Sequence, residues 1–280
     1  MRILCFLMPR LEPRLSPVMC ELFDRLERRG FTVDHGIAEQ HPWSTGAPLP
    51  DHDLVLVKSH SPLTLSLAGA LHDRGTHLVN PYPACALAQD KQRANRALAH
   101  AGVPIPRTWC TTEPARLADE VGRELGNRPV VVKPFDGYHG RGVAVLDDPD
   151  ALRTLHTSER PLVVQEHVEH DTDDLKLCVI DGEVFALRKP FSSESHGAAG
   201  VAVDVPPDLA EIARRCGHAL GLELYGVDVL EGPRGPVVVD VNFFPGYKGV
   251  PDAAQLLADA IERAAGRGPM EAARVVPAGR

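Results

Sequence analysis

Along the first third of the chain, short apolar runs alternate with longer stretches of helical spacing. "RILCFL" reads as a buried strand, and "PVMCELFDRLERRG" as an amphipathic helix that Gly30 is placed to end. "FTVDHG" and "DLVLVKSH" are further strands, separated by the proline-rich loop "HPWSTGAPLPDH". "LTLSLAGALHDRG" predicts a second helix and "HLVN" a short strand. Strands and helices in alternation with short links predict a small open parallel α/β unit over residues 1–85.

Beyond residue 85 the pattern changes. "PACALAQDKQRANRALAHAG" reads as one helix with a glycine stop, followed by a Pro-bounded extended piece, "VPIPRTWC". "RPVVVKPF" and "GVAVLDD" are strands flanking a glycine-rich turn. "PLVVQEHV" and "DLKLCVIDGEVFALRKPF" supply three more, with "DG" as a hairpin turn. A helix ("PDLAEIARRCGHALG"), a hairpin ("LYGVDVLEGPRGPVVVDVNFFP") and a closing helix ("PDAAQLLADAIERAAG") follow. The predicted organisation is an N-terminal unit over 1–85, a central unit over 86–160, a C-terminal unit over 161–268, and a loose tail over 269–280.

Composition narrows the field. The 280 residues are 44% hydrophobic and 24% charged, an ordinary globular balance. Thirty Lys and Arg against 38 Asp and Glu give a formal net charge of -8, which argues against nucleic acid or an anionic membrane as partner. Six cysteines are scattered without a C-x-x-C pair, so buried reduced thiols are expected rather than zinc. The first apolar run is too short for a signal segment and breaks at Pro9, and no run approaches the roughly 18 apolar residues of a membrane helix. A cytoplasmic protein is expected. Neither G-x-G-x-x-G after the first strand nor G-x-x-x-x-G-K-[ST] occurs.

The chemistry-bearing residues cluster later. In "VVVKPFDGYHGRGVAVL" a strand delivers Lys133, Pro134 stops the ladder, and Gly137, Gly140 and Gly142 allow a tight bend with free N–H groups. That suits a phosphate cradle, and equally a glycine-rich hairpin with a surface lysine; His139 lies inside the loop. "VVQEHV" turns polar at Gln165 and Glu166, as a hinge pairing with an adenine edge would, or as a strand reaching the surface would. In "VVVDVNFFPGYKGV" Asp240 and Asn242 share one strand face by period-2 geometry, and Asp228 lies on the preceding strand. Three oxygen donors on neighbouring strands form a hard-cation site of the kind magnesium prefers.

In this order the segments "NPYPACALAQDKQRANRALAHAGVPIPRT", "VVVKPFDGYHGRGVAVL", "VVQEHV", "DLKLCVIDGEV", "GVDVL" and "VVVDVN" resemble the ATP-grasp superfamily over residues 78–250. The resemblance implies an ATP-grasp fold of α/β class, α+β lobes behind an N-terminal open parallel α/β domain. It implies that Lys91 and Lys133 contact ATP phosphates beneath the 137–142 loop. Gln165, Glu166 and Val168 would frame the adenine, largely through backbone, and Asp228, Asp240 and Asn242 would hold one or two Mg2+, or Mn2+ in its place. The family commonly has Glu where Asp240 stands.

Within the superfamily, the α/β first unit and the "VPIPRT" connection look like the RimK-like amino-acid ligases. In these a carboxylate takes the phosphoryl group and an amine captures the acyl phosphate. "NFFPGYKGV", "VVQEHVEHD" and "LVLVKSH", with Lys58 and His170, look like segments of the ATP-grasp inositol polyphosphate kinases, although "GYHGRG" does not reproduce their loop signature. The expectation is a carboxylate–amine ligase acting on a small-molecule or peptide carboxylate and an amine acceptor, as a monomer or homo-oligomer. The kinase is the alternative, and a non-catalytic nucleotide binder is third. Arg188, Lys189 and Lys176 are the candidate catalytic cations, the first two suited to gripping an anionic group. Tyr247 and Lys248 are candidates for the acceptor pocket wall.

Overall fold

In the computed structural model the described residues are 1–9, 15–135, 142–157, 159–170, 173–189 and 199–268. The first sheet is built from β1 (Arg2–Leu7), β2 (Thr32–Gly36), β3 (Leu54–Lys58) and β4 (His77–Val79), with α1 (Pro17–Arg28) and α2 (Pro62–Asp73) as crossovers. Its order is β2-β1-β3-β4 and every pairing is parallel. Both faces are covered over the central strands β1 and β3, which is why those two are continuously apolar, whereas the edge strand β2 is largely exposed. Ile3, Cys5, Leu54 and Leu56 face one core, while Leu4, Phe6, Val55 and Val57 face another. On α1 the buried side chains are Met19, Leu22, Phe23 and Leu26, spaced 3-1-3, each contributing about 2 kcal/mol by burial. Helix α2 begins at an N-cap, Ser61, whose side chain accepts from the Thr64 N–H at 3.1 Å, and Pro62 follows at its first position.

Two helices, α3 (Tyr82–Gln89) and α4 (Lys91–His100), stand where the sequence suggested one. Asp90 divides them. Its extended backbone ends α3, and its side chain accepts from Arg93 N–H to start α4. A second sheet follows, made of β5 (Thr108–Thr111), β6 (Val130–Pro134), β7 (Ala144–Leu146) and β8 (Leu162–Glu166) in the antiparallel order β5-β8-β6-β7. Helix α5 (Pro114–Leu125) covers it, a helix the sequence reading left out; Ala118, Val121 and Leu125 pack on Val130, Val132 and Val164 in a separate small core. Strand β8 therefore pairs into this sheet, whereas the predicted division at residue 160 grouped it with the C-terminal unit.

The third sheet holds β9 (Asp174–Ile180), β10 (Glu183–Lys189), β11 (Val201–Val203), β12 (Leu224–Gly232) and β13 (Gly235–Phe243), antiparallel in the order β11-β10-β9-β12-β13. Strand β11 was also not anticipated. The β9–β10 turn uses Asp181 and Gly182, both with positive φ, as a two-residue hairpin requires. One sheet face, including Leu175, Leu177, Val179, Tyr225, Val227 and Val241, packs in a core with α6 (Pro207–Leu220). The other face is apolar at one end, where Cys178, Ile180, Leu187 and Leu224 join α7 (Ala253–Arg267) and the first sheet. At its other end this face turns polar. Buried Asn80 stitches the first sheet to the third: its Oδ1 accepts from Glu223 and Leu224 N–H at 2.8 and 2.9 Å, and its Nδ2 donates to Leu224 O at 2.8 Å. No described helix is long and apolar enough to cross a membrane.

Candidate active site

The polar end of the third sheet collects most of the predicted residues. Asp228 and Asp240 are direct cross-strand partners, so their carboxylates share a face. Asn242, two residues along, donates from Nδ2 to Asp228 Oδ2 at 3.3 Å and to Asp240 Oδ2 at 3.2 Å. Lys176, paired with Asp228 on β9, places Nζ 2.7 Å from Asp228 Oδ1. Lys91, at the first position of α4 and 8% exposed, pairs its ammonium with Asp240 Oδ1. Lys133 reaches over from β6 and donates to Val239 O at 3.1 Å. Val239 is the extra residue at a bulge: Asp228 pairs with Asp240 but Val229 pairs with Val238, so the Val239 carbonyl is turned out of the ladder.

Charge follows from this packing. Burial works against ionisation of Asp240, but Lys91, Lys133 and Lys176 outweigh it and hold the carboxyl below the ordinary carboxylate range. Burial pulls Lys133 below an ordinary lysine, opposed by Asp240 and Asp228. For Lys176 burial also opposes charge, yet Asp228 prevails and the ammonium is held above its usual value. Lys189 is lowered by burial and then by Lys176. Four lysines (91, 133, 176, 189) thus surround two carboxylates, a surplus of positive charge suited to a polyphosphate.

Among the described residues no three His, Cys, Asp or Glu side chains gather as a metal cluster; the donor set here is two carboxylates and one amide. That set fits Mg2+, which takes few protein carboxylates and completes its octahedron with water and phosphate. A half-turn of the Asn242 amide presents Oδ1 in place of Nδ2.

One expectation changes. Arg188 pairs with Leu175, whose side chain belongs to the α6 core, so Arg188 points to the sheet face opposite Asp228 and Asp240. There it bonds Glu231 at 2.7 Å. Lys189, one residue on, shares the site face with Leu187 and Lys176. In the segment expected at the adenine, the side chains have protein partners. Gln165 is buried and donates to Thr108 Oγ1 at 2.9 Å, while the carboxylate of Glu166 is held by Arg128 and Arg234, each at 2.9 Å, with Arg107 at 4.0 Å. The Glu166 N–H donates to Arg107 O at 2.9 Å, so neither its side chain nor its amide is turned to a ligand. Val168 packs beside Gly232 at the β12–β13 turn.

Gly142 has φ +74° and lies against Pro134, where a Cβ would come within 2.8 Å of the ring, so only glycine fits. Gly137, His139 and Gly140 lie outside the described residues, as does the 269–280 tail. Tyr247 is buried and donates to Val179 O at 3.1 Å, which makes it a prop of the turn rather than a pocket wall.

The sequence reading passed over His60. It follows the end of β3, stacks on Phe243 with ring centroids 3.9 Å apart, and meets Gln89 Oε1 through Nδ1 at 3.1 Å. Burial pushes its imidazole down to about 4, against the Gln89 bond. The available signal was its position at the carboxyl end of a central parallel strand, where open α/β sheets gather functional groups.

Two antiparallel sheets contributing lysines and carboxylates to one cleft, behind a parallel α/β unit, define an ATP-grasp protein. The family model for the RimK-like ATP-grasp domain matches residues 88–261, and the chain belongs to that family. It is 32% identical over 251 residues to "Probable alpha-L-glutamate ligase" of Xanthomonas oryzae pv. oryzae, covering 84% of this chain and 81% of the relative. A Xylella fastidiosa protein of the same name is 35% identical over 188 residues, covering 63% of this chain and 62% of that one. Among solved structures, a RimK domain ATP-grasp protein from Sphaerobacter thermophilus superposes with TM-score 0.73 at 25% identity, covering 94% of this chain and all of that one. D-cycloserine synthetase DcsG superposes with TM-score 0.75 at 21% identity over 94% of this chain and 99% of that one. The chain is a RimK-like ATP-grasp ligase, and the kinase alternative is not favoured.

Proposed function

We propose that this ligase joins an amino acid to an amine-bearing acceptor, with L-glutamate as the amino-acid class of first choice. The alpha-L-glutamate ligase relatives support that choice. The observation that carries the reaction is the single face on which Asp228, Asp240 and Asn242 meet Lys91, Lys133 and Lys176.

A carboxylate oxygen of one substrate attacks the γ-phosphorus of ATP, and ADP leaves with the electrons of the broken P–O bond. The amine nitrogen of the second substrate then attacks the acyl carbon, phosphate leaves, and the nitrogen gives up a proton. Lys91 and Lys133 hold the phosphates, with Lys133 fixed by the bulge carbonyl. Lys176 and Lys189, on the same face, bind the acid and the transferring group. Asp228, Asp240 and Asn242 would hold Mg2+, which would neutralise phosphate charge. Gln165, Glu166 and Val168 line the adenine end of the cleft through backbone groups of the segment other than the Glu166 N–H. The acceptor is a small molecule or a peptide.

The test is nucleotide fate. Incubate the protein with Mg-ATP and pooled amino acids, with hydroxylamine as a generic amine. Matched ADP and free phosphate with hydroxamate support the reading; ADP without matching phosphate overturns it.

A further inference from the structure

Lys58 ends β3 in the parallel sheet, yet its ammonium serves the other end of the molecule. Nζ donates to Phe244 O at 3.0 Å and to Pro245 O at 2.7 Å, and it lies 4.8 Å from the centre of the Phe244 ring. Those carbonyls begin the turn that leaves β13 after Phe243, one residue past Asn242. The turn is one the chain would not hold by itself, because Phe244 and Tyr247 have φ of +41° and +51°, a region that favours glycine. Its other supports are the Phe244 N–H to Leu224 O at 2.7 Å, the Tyr247 hydroxyl to Val179 O, and a close approach of Gly249 to Gly200, where a Cβ would overlap the Gly200 carbonyl. The turn also touches the site directly: Pro245 packs beside Gly226, which in turn adjoins the Lys176 stem.

We propose that Lys58 is a positioning residue for the cation site: by donating to the two carbonyls that open the 244–247 turn, it fixes the end of β13 and so the orientation of Asn242 toward Asp228 and Asp240. The proposal rests on the metal reading of those three residues. Groups one step removed from metal ligands characteristically govern affinity in this way. The arrangement also gives the N-terminal unit a direct hand in the chemistry of the C-terminal sheet, through an ion–carbonyl contact rather than through substrate.

The test compares wild type with Lys58→Met, which keeps the stem and loses the donor, and Lys58→Arg, which keeps a donor. Mn2+ binding in the presence of a non-hydrolysable ATP analogue is followed by spin resonance, and amide hydrogen exchange is followed over 241–250. Lys58→Met is expected to bind Mn2+ about tenfold more weakly and to exchange faster at that turn while the first sheet stays protected. Lys58→Arg is expected to recover most of the affinity. Should Lys58→Met fail to fold, Lys58→Gln is held to the same criteria. Unchanged Mn2+ affinity in a folded variant overturns the proposal and leaves the metal reading standing. A wild type that binds no Mn2+ with nucleotide overturns the metal reading and this proposal with it.

Discussion

Asp228 and Asp240 stand directly opposite each other on β12 and β13, and the amide of Asn242 bonds both at 3.3 and 3.2 Å. Two facing carboxylates repel, and three lysines with one amide hold the pair in place of that repulsion. Asp240→Asn is expected to lower ligase turnover by about a hundredfold or more while the circular dichroism spectrum stays that of wild type. Lys91 and Lys133 then face a neutral amide, so the melting temperature falls by a few degrees. The sign of the pH dependence follows. Asp240 has a folded pKa below its ordinary 3.8, so its stabilisation is fully present above that value and drains as pH falls through the lower one. The stability gap between wild type and variant, measured by urea unfolding, should therefore close below about pH 4.

Lys189 and Arg188 are neighbours in sequence on opposite faces of β10. Lys189→Met is expected to reduce kcat by about a hundredfold. Arg188→Met breaks only the Glu231 pair and should cost less than about tenfold in kcat, with a modest loss of thermal stability. Steady-state kinetics with both variants decide this; equal losses would put Arg188 back in the chemistry.

Glu166 is 6% exposed at the centre of three guanidinium groups. Glu166→Gln leaves Arg107, Arg128 and Arg234 to repel one another, an expected destabilisation of about 2 kcal/mol. Arg234→Ala removes one largely exposed partner and should cost under about 1 kcal/mol. Neither should change the KM for ATP more than about threefold, because the carboxylate faces arginines and not the cleft. Denaturant titration beside ATP saturation curves checks both statements.

His60 titrates near 4 in the fold against an ordinary 6.5. The unfolded chain takes up a proton that the folded site refuses, so the stabilisation is complete above pH 6.5 and is lost as pH falls toward 4. The loss is about 2 kcal/mol after allowance for the partly exposed ring. His60→Asn, which retains a donor for Gln89, should flatten the stability profile between these limits.

Nearly every strand was legible from its run of apolar residues, because burial on two faces leaves an unbroken signature and burial on one leaves alternation. The pairing of Asp240 with Asn242 could be read for the same reason, since strand period is local geometry. Helix α5 carries its own local signal, because Leu117, Ala118, Val121 and Leu125 have a plain helical spacing. The division at Asp90 is different, because an aspartate inside a helical pattern is a cap only if the chain bends there.

Local pattern determined the elements, the family motifs and the list of candidate lysines and carboxylates. Only the tertiary structure decided which of them meet. Arg188 or Lys189 could not be chosen without the register of β10 on β9, since a shift of one residue exchanges the two faces. The bulge at Val239 that supplies a carbonyl to Lys133, the arginines around Glu166, and the hold of Lys58 on Phe244 and Pro245 all join residues 38 to 187 positions apart. Hydrogen bonds and charge pairs act over a few ångströms in space, and the sequence order of their partners carries no record of that distance.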